Sequence, residues 1–422
     1  MKNSFENKNR RKAYKTAAGC VIAAALPMSA YSTIPLYLVP LSESLGVSIG
    51  QVSLLFTFAA VAGLVASLMF GTLLKKLTAR VLVCVAGTAL AAFFTVIYFA
   101  DSITMIYLGA LLFGFATSTG GAGVAQTVVT WWFVTGRAKI MSLQTVGTGA
   151  VSIILAPIIA SVLEATGVRQ MALMQGLVTG GLMILNAIFL LSEQPSKYDM
   201  LPIGYVQETV QTKNADTGTT KREMALGQIF ATAPFWLVFA ASALLSLSYT
   251  GFTNNASAFY QSIGMTAVQA SFCISVHNAA KLIWSPVFGT ITDKKGPGFA
   301  TLICGGIAAV TLVASTFIRG YVGGIAIGAL MASFAFAGMV GSICYPRIYG
   351  AKEAGNLVGF NAAAGSAGAM LGSPIAAFIF DATGSYSSAM LVMAVVAAVA
   401  ILCTLLATNK KSIARIREKA SI

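Results

Sequence analysis

The chain has 422 residues, 57% of them hydrophobic and only 9% charged, with 27 Lys and Arg against 13 Asp and Glu. So little charge cannot tile the surface of a soluble protein of this size, so a bilayer must cover most of the outside. The net charge of +14 would suit nucleic acid, but it is spread over both tails and the loops of one membrane side, as topology alone demands.

In chain order, apolar runs predict helical spans at about 14–40, 48–74, 80–100, 103–132, 138–164, 168–192, 232–260, 266–290, 298–319, 321–346, 356–380 and 384–407. Each reaches the ~20 residues that cross the hydrocarbon of a bilayer as helix. The expected class is an all-α integral membrane protein with twelve transmembrane helices. The first run has no small-residue cleavage site and more spans follow it, so it reads as a retained helix and not a signal peptide. Of the Lys and Arg residues, 24 fall on one side, two (Arg169 and Arg319) on the other, and Lys281 inside a span. That bias puts both termini in the cytoplasm of a multi-pass inner (plasma) membrane protein. Lys410, Lys411, Arg415, Arg417 and Lys419 in the tail are also suited to anionic lipid. Trp131 and Trp132, at the end of the fourth run, read as interfacial anchors.

The polar stretch 193–231 separates six spans from six and reads as a cytoplasmic linker. The expected organisation is an N-terminal six-helix bundle over 1–192 and a C-terminal bundle with a basic tail over 232–422. A repeat supports it: Leu45–Ser53 (LGVSIGQVS) resembles Ile263–Ser271 (IGMTAVQAS), and Gly71–Leu74 matches Gly289–Thr292, both at an offset of 218 residues. Parallel repeats of six spans mark a transporter architecture with its solute site near the midplane. The six cysteines all fall in spans without metal-ligand spacing, so they read as small buried apolar residues, with no disulfide, metal or cofactor expected.

The segment Gly289-Thr-Ile-Thr-Asp293-Lys294-Lys295-Gly296 resembles the G-x-x-x-D-x-x-G loop signature of the major facilitator superfamily. In the first half the corresponding stretch runs from Gly71 to Arg80 and carries Lys75 where the family has Asp. Within the superfamily the chain resembles the oxalate/formate exchanger and monocarboxylate transporter branch. The residues that carry this are Leu36-Tyr37-x-x-Pro40 through Leu45-Gly46-Val47-Ser48, Trp132-Phe133 followed by Arg137, and Ala233-Pro234-Phe235-Trp236. The resemblance implies the major facilitator fold, carboxylate transport, and Asp293 with Gly289 as a conformational gate. It also departs: the branch's span 11 lysine aligns with Gly365, and its Arg before Pro in span 8 becomes Ser285 before Pro286. The cation pair that would hold a dicarboxylate is absent.

Lys281 is the one Lys or Arg well inside a span, and His277 is the chain's single histidine. A buried ammonium costs several kcal/mol unless it is paired or wet, which makes an intramembrane lysine a functional candidate. With His277 at 0°, Lys281, Ser285, Asn278 and Ser271 fall at about 40°, 80°, 100° and 120°, with Ser275 just outside at about 160°. Such a polar stripe faces a cavity or another helix, since lipid would penalise it. At the repeat offset Lys281 corresponds to Gly63 and His277 to Ala59, so the pair belongs to one half only. The plainer reading is that Lys281 snorkels to backbone carbonyls or lipid phosphate. No Asp or Glu lies near a mid-span position, which leaves a substrate anion as the natural counter-ion. His277 is also placed to relay a proton. Tyr31 in span 1 and Tyr249 in span 7 join the candidates as aromatic faces carrying hydroxyls. Gln126, Gln144, Asn254 and Asn255 are explained as well by bonding between helices.

The expected function is secondary transport of a small organic anion by alternating access, as exchanger or symporter, by a monomer whose other partner is membrane lipid. The substrate-binding set is Lys281, His277, Asn278, Ser285, Tyr31 and Tyr249. The rival reading is an exporter of a drug-like, largely neutral amphipath, for which Lys281 is incidental. A membrane enzyme or receptor is remote, because no nucleophile and base pairing, metal cluster or phosphate loop is present.

Overall fold

The computed structural model describes residues 2–133, 137–198, 200–203, 226–349 and 351–409. The centre of the linker, 204–225, and the tail with Lys410, Lys411, Arg415, Arg417 and Lys419 lie outside the described residues. Among the described residues the secondary structure is helical apart from one isolated bridge between Phe133 and Ile203.

In the first half, α1 (Lys2–Thr33) runs through a 3-10 turn (Ile34–Tyr37) into α2 (Leu38–Leu45), and α3 (Ile49–Lys76) and α4 (Ala79–Phe99) follow. Then come α5 (Ile103–Gly120) and α6 (Ala122–Trp132), which together make one span, then α7 (Arg137–Thr166) and α8 (Val168–Phe189). The second half has α9 (Leu226–Phe230), α10 (Ala233–Thr253), α11 (Ala256–Ser262), α12 (Ala267–Lys295) and α13 (Pro297–Ala314). A further span joins α14 (Tyr321–Met331), a 3-10 stretch (Ala332–Met339) and α15 (Val340–Tyr349), and α16 (Ala351–Thr383) and α17 (Tyr386–Ala407) complete the chain.

Eleven of these spans are long and apolar enough to cross a membrane by length and composition. The remaining one, α12, has 29 residues, ample length for a bilayer, but its polar stripe lowers its apolarity. The helix that looks least like a membrane span is the one that carries Lys281 and His277.

The described residues gather into two compact units, Met1–Gly46 with Phe58–Thr217, and Val47–Thr57 with Gly218–Ile422. In the first unit α1 packs along α7, and α4 along α5 and α8. The start of the linker is tied to this unit. Glu193 accepts from the Ala79 and Arg80 amides (3.4 and 3.1 Å) at the first turn of α4, and Arg80 Nε donates to the Leu191 carbonyl at 2.7 Å. A carboxylate there satisfies amides that have no partner inside the helix and sits at the positive end of its dipole. Trp132 Nε1 donates to the Glu193 carbonyl at 2.9 Å, and the indole is fully buried. This corrects the expected interfacial anchor: Trp132 holds down the linker, while Trp131 stays half-exposed.

In the second unit α10 packs along α16 and α17, α13 along α17, and α12 along α14. At Gly368 a Cβ would overlap the Ala243 carbonyl oxygen, so the glycine lets α16 approach α10 backbone to backbone. Asn255 Nδ2 bonds the Gly251 and Ser373 carbonyls at 3.0 and 3.1 Å, the inter-helix role that competed with a pocket role for this residue. The first residues of α3 belong to this unit too: the Gly50 amide donates to Asp381 Oδ2 at 2.9 Å, and Thr57 Oγ1 to the Met370 carbonyl at 2.7 Å.

Candidate functional site

The starting point is α12. Thr266 and Gln269 form a reciprocal capping box at its N-terminus, satisfying two amides that would otherwise lack partners. Two side chains then fix its rotation against α14. His277 Nδ1 lies 3.1 Å from the Gly328 carbonyl, and Trp284 Nε1 donates to the Ala329 carbonyl at 3.0 Å. Residues seven apart lie within about 20° of each other on a helix, so both bonds hold the same edge. Lys281 falls between them along the axis and about 40° round, and its side chain reaches α10.

There the Lys281 ammonium lies 3.5 Å from the Tyr249 hydroxyl, the outer limit of a hydrogen bond. The Tyr249 ring is also flanked by the His277 ring (centroids 6.1 Å apart) and, edge to face, by Phe334 (6.1 Å). Phe252 adds a further edge-on contact to His277 at 6.3 Å. The geometry is thus one half-buried ammonium beside a phenol hydroxyl, walled by aromatic rings. Among the described residues the ion pair present is Arg169–Asp101 at 3.0 Å in the other unit; Lys281 takes part in none. The Gly328 carbonyl can only accept, so His277 Nδ1 donates to it, which leaves Nε2 as the other ring nitrogen. That atom is buried and has no hydrogen-bond partner.

The other candidates fare differently. Asn278 is 5% exposed, one residue from His277, and Ser285 is half-buried one turn beyond Lys281. Ser271 and Ser275 direct their hydroxyls to the Val268 and Ser271 carbonyls of their own helix, at 2.7 and 3.1 Å, so the stripe is narrower in function than in composition. Tyr31 lies on α1 in the first unit, half-buried, with its ring stacked on Phe113 at 6.0 Å. Asp293 is exposed on the last turn of α12, and a Cβ at Gly289 would meet nothing within 4 Å. The loop glycine with a structural demand is Gly296. It has φ +93° where α12 turns into α13, and the Arg347 guanidinium lies 3.4 Å from where its Cβ would be.

Phe334 and Trp284 were not among the sequence candidates. Both are apolar-looking residues in apolar runs, and composition alone gives no signal for them. Their roles arise from the rotation of α12 and the position of the 3-10 stretch after α14.

Comparison with known proteins agrees with this architecture. A family profile described as Major Facilitator Superfamily matches residues 19–350. The oxalate:formate antiporter of Oxalobacter formigenes is 25% identical over 283 residues, which are 66% of this chain and 62% of that protein. The alignment therefore spans less than two thirds of that relative. Among solved structures, the nucleoside transporter NupG superposes with a TM-score of 0.74 at 12% identity, covering 94% of this chain and 99% of that one. A bacterial homologue of the human lysosomal transporter Spinster, in an inward-facing and occupied conformation, gives a TM-score of 0.71 at 14% identity, covering 96% of this chain and 97% of that one. At such identities the structural likeness speaks for the fold.

Proposed function

Since the chain belongs to the major facilitator superfamily, we propose that it is a secondary transporter whose solute is a small organic anion, most simply a monocarboxylate, bound at Lys281. The observation that carries this reading is the Lys281 ammonium itself. It lies mid-helix on α12, half-buried, 3.5 Å from the Tyr249 hydroxyl, and makes no ion pair with any described carboxylate. A charge in that setting is costly until an anion neutralises it. A carboxylate bound there would take a charge-assisted hydrogen bond from Lys281 and a second bond from the Tyr249 hydroxyl. His277, Asn278 and Ser285 supply the polar surroundings on α12. The antiporter of Oxalobacter formigenes, named for oxalate and formate, supports an anion. Gly365 and Ser285 stand where the branch has its two cations, which supports a singly charged solute over a dicarboxylate.

The mechanism is alternating access. With the site empty, the unpaired ammonium resists occlusion; with an anion bound, the pair is neutral and the carrier can reorient. This favours exchange, or anion-coupled flux, over leak. The bias of 24 Lys and Arg to one side supports cytoplasmic termini, with the carrier acting as a monomer and Asp293 and Gly289 as part of a cytoplasmic gate.

The test is a thermal-shift panel on the purified carrier, with mono- and dicarboxylates, sugars, amines and hydrophobic drugs. Stabilisation by monocarboxylates that vanishes in Lys281→Ala supports the reading. Stabilisation by neutral or cationic compounds alone, unchanged in the variant, overturns it and favours export of an amphipath.

A further inference from the structure

Residues 321–345 carry no charge and no proline, so the usual cause of a broken span is missing. The helix nevertheless stops at Met331, gives way to eight residues in 3-10 form (Ala332–Met339), and resumes as α15 at Val340. Runs of 3-10 helix longer than three or four residues are uncommon, because their hydrogen bonds are poorer than those of an α-helix. The break also has a counterpart in the first half. There α5 ends at Gly120 and α6 starts at Ala122, and the repeat offset of 218 pairs Ala122 with Val340. Interrupted helices at corresponding positions of two halves mark the working region of a carrier.

The broken form is held by side chains of neighbouring helices. In a continued α-helix the Ala332 and Ser333 amides would bond the Gly328 and Ala329 carbonyls. Here the Ala332 amide donates to the Leu330 carbonyl instead. The two carbonyls accept from α12: Gly328 from His277 Nδ1 at 3.1 Å, and Ala329 from Trp284 Nε1 at 3.0 Å. At the far end Asn361 Nδ2 on α16 reaches the Gly338 carbonyl at 3.5 Å, while its Oδ1 accepts from Ser242 on α10 at 2.6 Å. Bare backbone carbonyls are costly inside a bilayer, so these donors make the break tolerable there.

We infer that 332–339 is a two-state element, held in 3-10 register by His277 and Trp284 as positioning residues, and that an anion at Lys281 releases it into α-helix. Lys281 lies between the two donors on α12, and its ammonium is 3.5 Å from the hydroxyl of Tyr249, whose ring meets Phe334 edge to face. A carboxylate that bonds the Tyr249 hydroxyl competes with this packing, and that differential contact lets occupancy bias the register. The change from about 120° and 2.0 Å per residue to about 100° and 1.5 Å turns Phe334, the third residue of the stretch, by about 60° away from Tyr249. Over the whole stretch it shortens the span by about 4 Å, which carries the event at Lys281 to α15. The coupling rests on the proposed anion site; the register itself does not.

The experiment uses the full chain in nanodiscs, in a cysteine-free background, with spin labels at the exposed positions Val322 and Arg347 near the two ends of the span. Their separation is read by double electron–electron resonance. Trp284→Phe keeps the ring and removes the donor. Without ligand it is expected to raise the population at a distance about 4 Å shorter by roughly two- to tenfold, the worth of one hydrogen bond. Saturating acetate or pyruvate produces the same shortening in the wild type. Because part of the change is then already made, Trp284→Phe also lowers the half-saturating anion concentration for exchange, which mere loss of packing would not do. Ala332→Pro has no amide for the Gly328 carbonyl, and its ring clashes with that carbonyl in α register. It keeps the longer distance with anion present and raises the half-saturating concentration. An unchanged ligand-free distance in Trp284→Phe overturns the register. A carboxylate that stabilises the wild type without shortening the distance overturns the coupling and spares the anion site. Shortening in Trp284→Phe in a carrier that no carboxylate stabilises overturns the anion as the trigger and leaves the register standing.

Discussion

Replacing Lys281 by Met tests the carrier reading through two effects of opposite sign. The unbranched Met keeps most of the aliphatic stem and removes the ammonium. If Lys281 holds the anion, the loss of a charge-assisted hydrogen bond, worth about 1.5–3 kcal/mol, lowers apparent affinity by roughly ten- to a hundredfold. Exchange of a radiolabelled monocarboxylate in proteoliposomes, measured below saturation, falls by the same factor. The empty protein responds in the other direction. Its ammonium is half-buried, lies 3.5 Å from the Tyr249 hydroxyl and makes no ion pair among the described residues, so removing it relieves a desolvation cost that no described carboxylate offsets. The ligand-free Tm is expected to rise by about 1–3 °C for a chain of this size. Lys281→Arg, which keeps the charge but changes its shape, retains part of the exchange. Exchange within about threefold of the wild type, under 1 kcal/mol, refutes the anion site. A ligand-free Tm several degrees lower refutes the idea that the charge is unsatisfied and makes Lys281 a structural residue.

Three further outcomes follow from the packing. Gly368→Val, whose Cβ would overlap the Ala243 carbonyl, separates α10 from α16 and abolishes monodisperse expression. Gly289→Ala, with nothing within 4 Å of its Cβ, leaves expression intact, and size-exclusion chromatography of fluorescent fusions distinguishes the two. Asp381→Ala removes the acceptor of the Gly50 amide. Hydrogen exchange at the first turn of α3 should then accelerate by about two- to tenfold, the value of one capping bond. Glu193→Ala removes the carboxylate at the start of α4 and lowers Tm by a few degrees, about 1–2 kcal/mol.

The fold was legible because the bilayer imposes a coarse and redundant code. Twenty apolar residues make a span whatever their order, and each of the twelve expected spans meets a helix or helix pair here. Even α12, which does not qualify as a span by apolarity, was readable as one from the length of its run and from the repeat of Leu45–Ser53 at Ile263–Ser271 where it begins. Trp132 was misread for the opposite reason. Its place at the end of an apolar run is the same for a lipid anchor and for a buried donor, and only the path of the linker back to Glu193 separates the two. The same limit applies to Gly50, whose partner Asp381 lies 331 residues away.

The candidate site was legible where charge is scarce and illegible where it depends on rotation. A lone lysine and a lone histidine four residues apart stand out against an apolar background, and helix periodicity puts them on one face. Periodicity also put Ser271 and Ser275 at or beside that face, yet both hydroxyls turn back to carbonyls of α12. Short hydroxyl side chains in helices commonly do this, so their presence on a stripe carries little information about what the stripe faces. Long side chains such as Lys281 cannot satisfy themselves on the backbone one turn back without abandoning the bilayer interior. They report their surroundings, and the neighbour of Lys281 is a tyrosine and not a carboxylate. An ion pair at that position would leave the helix neutral in every state. A phenol leaves the charge open to a partner that comes and goes, the property that the proposed anion site requires of Lys281.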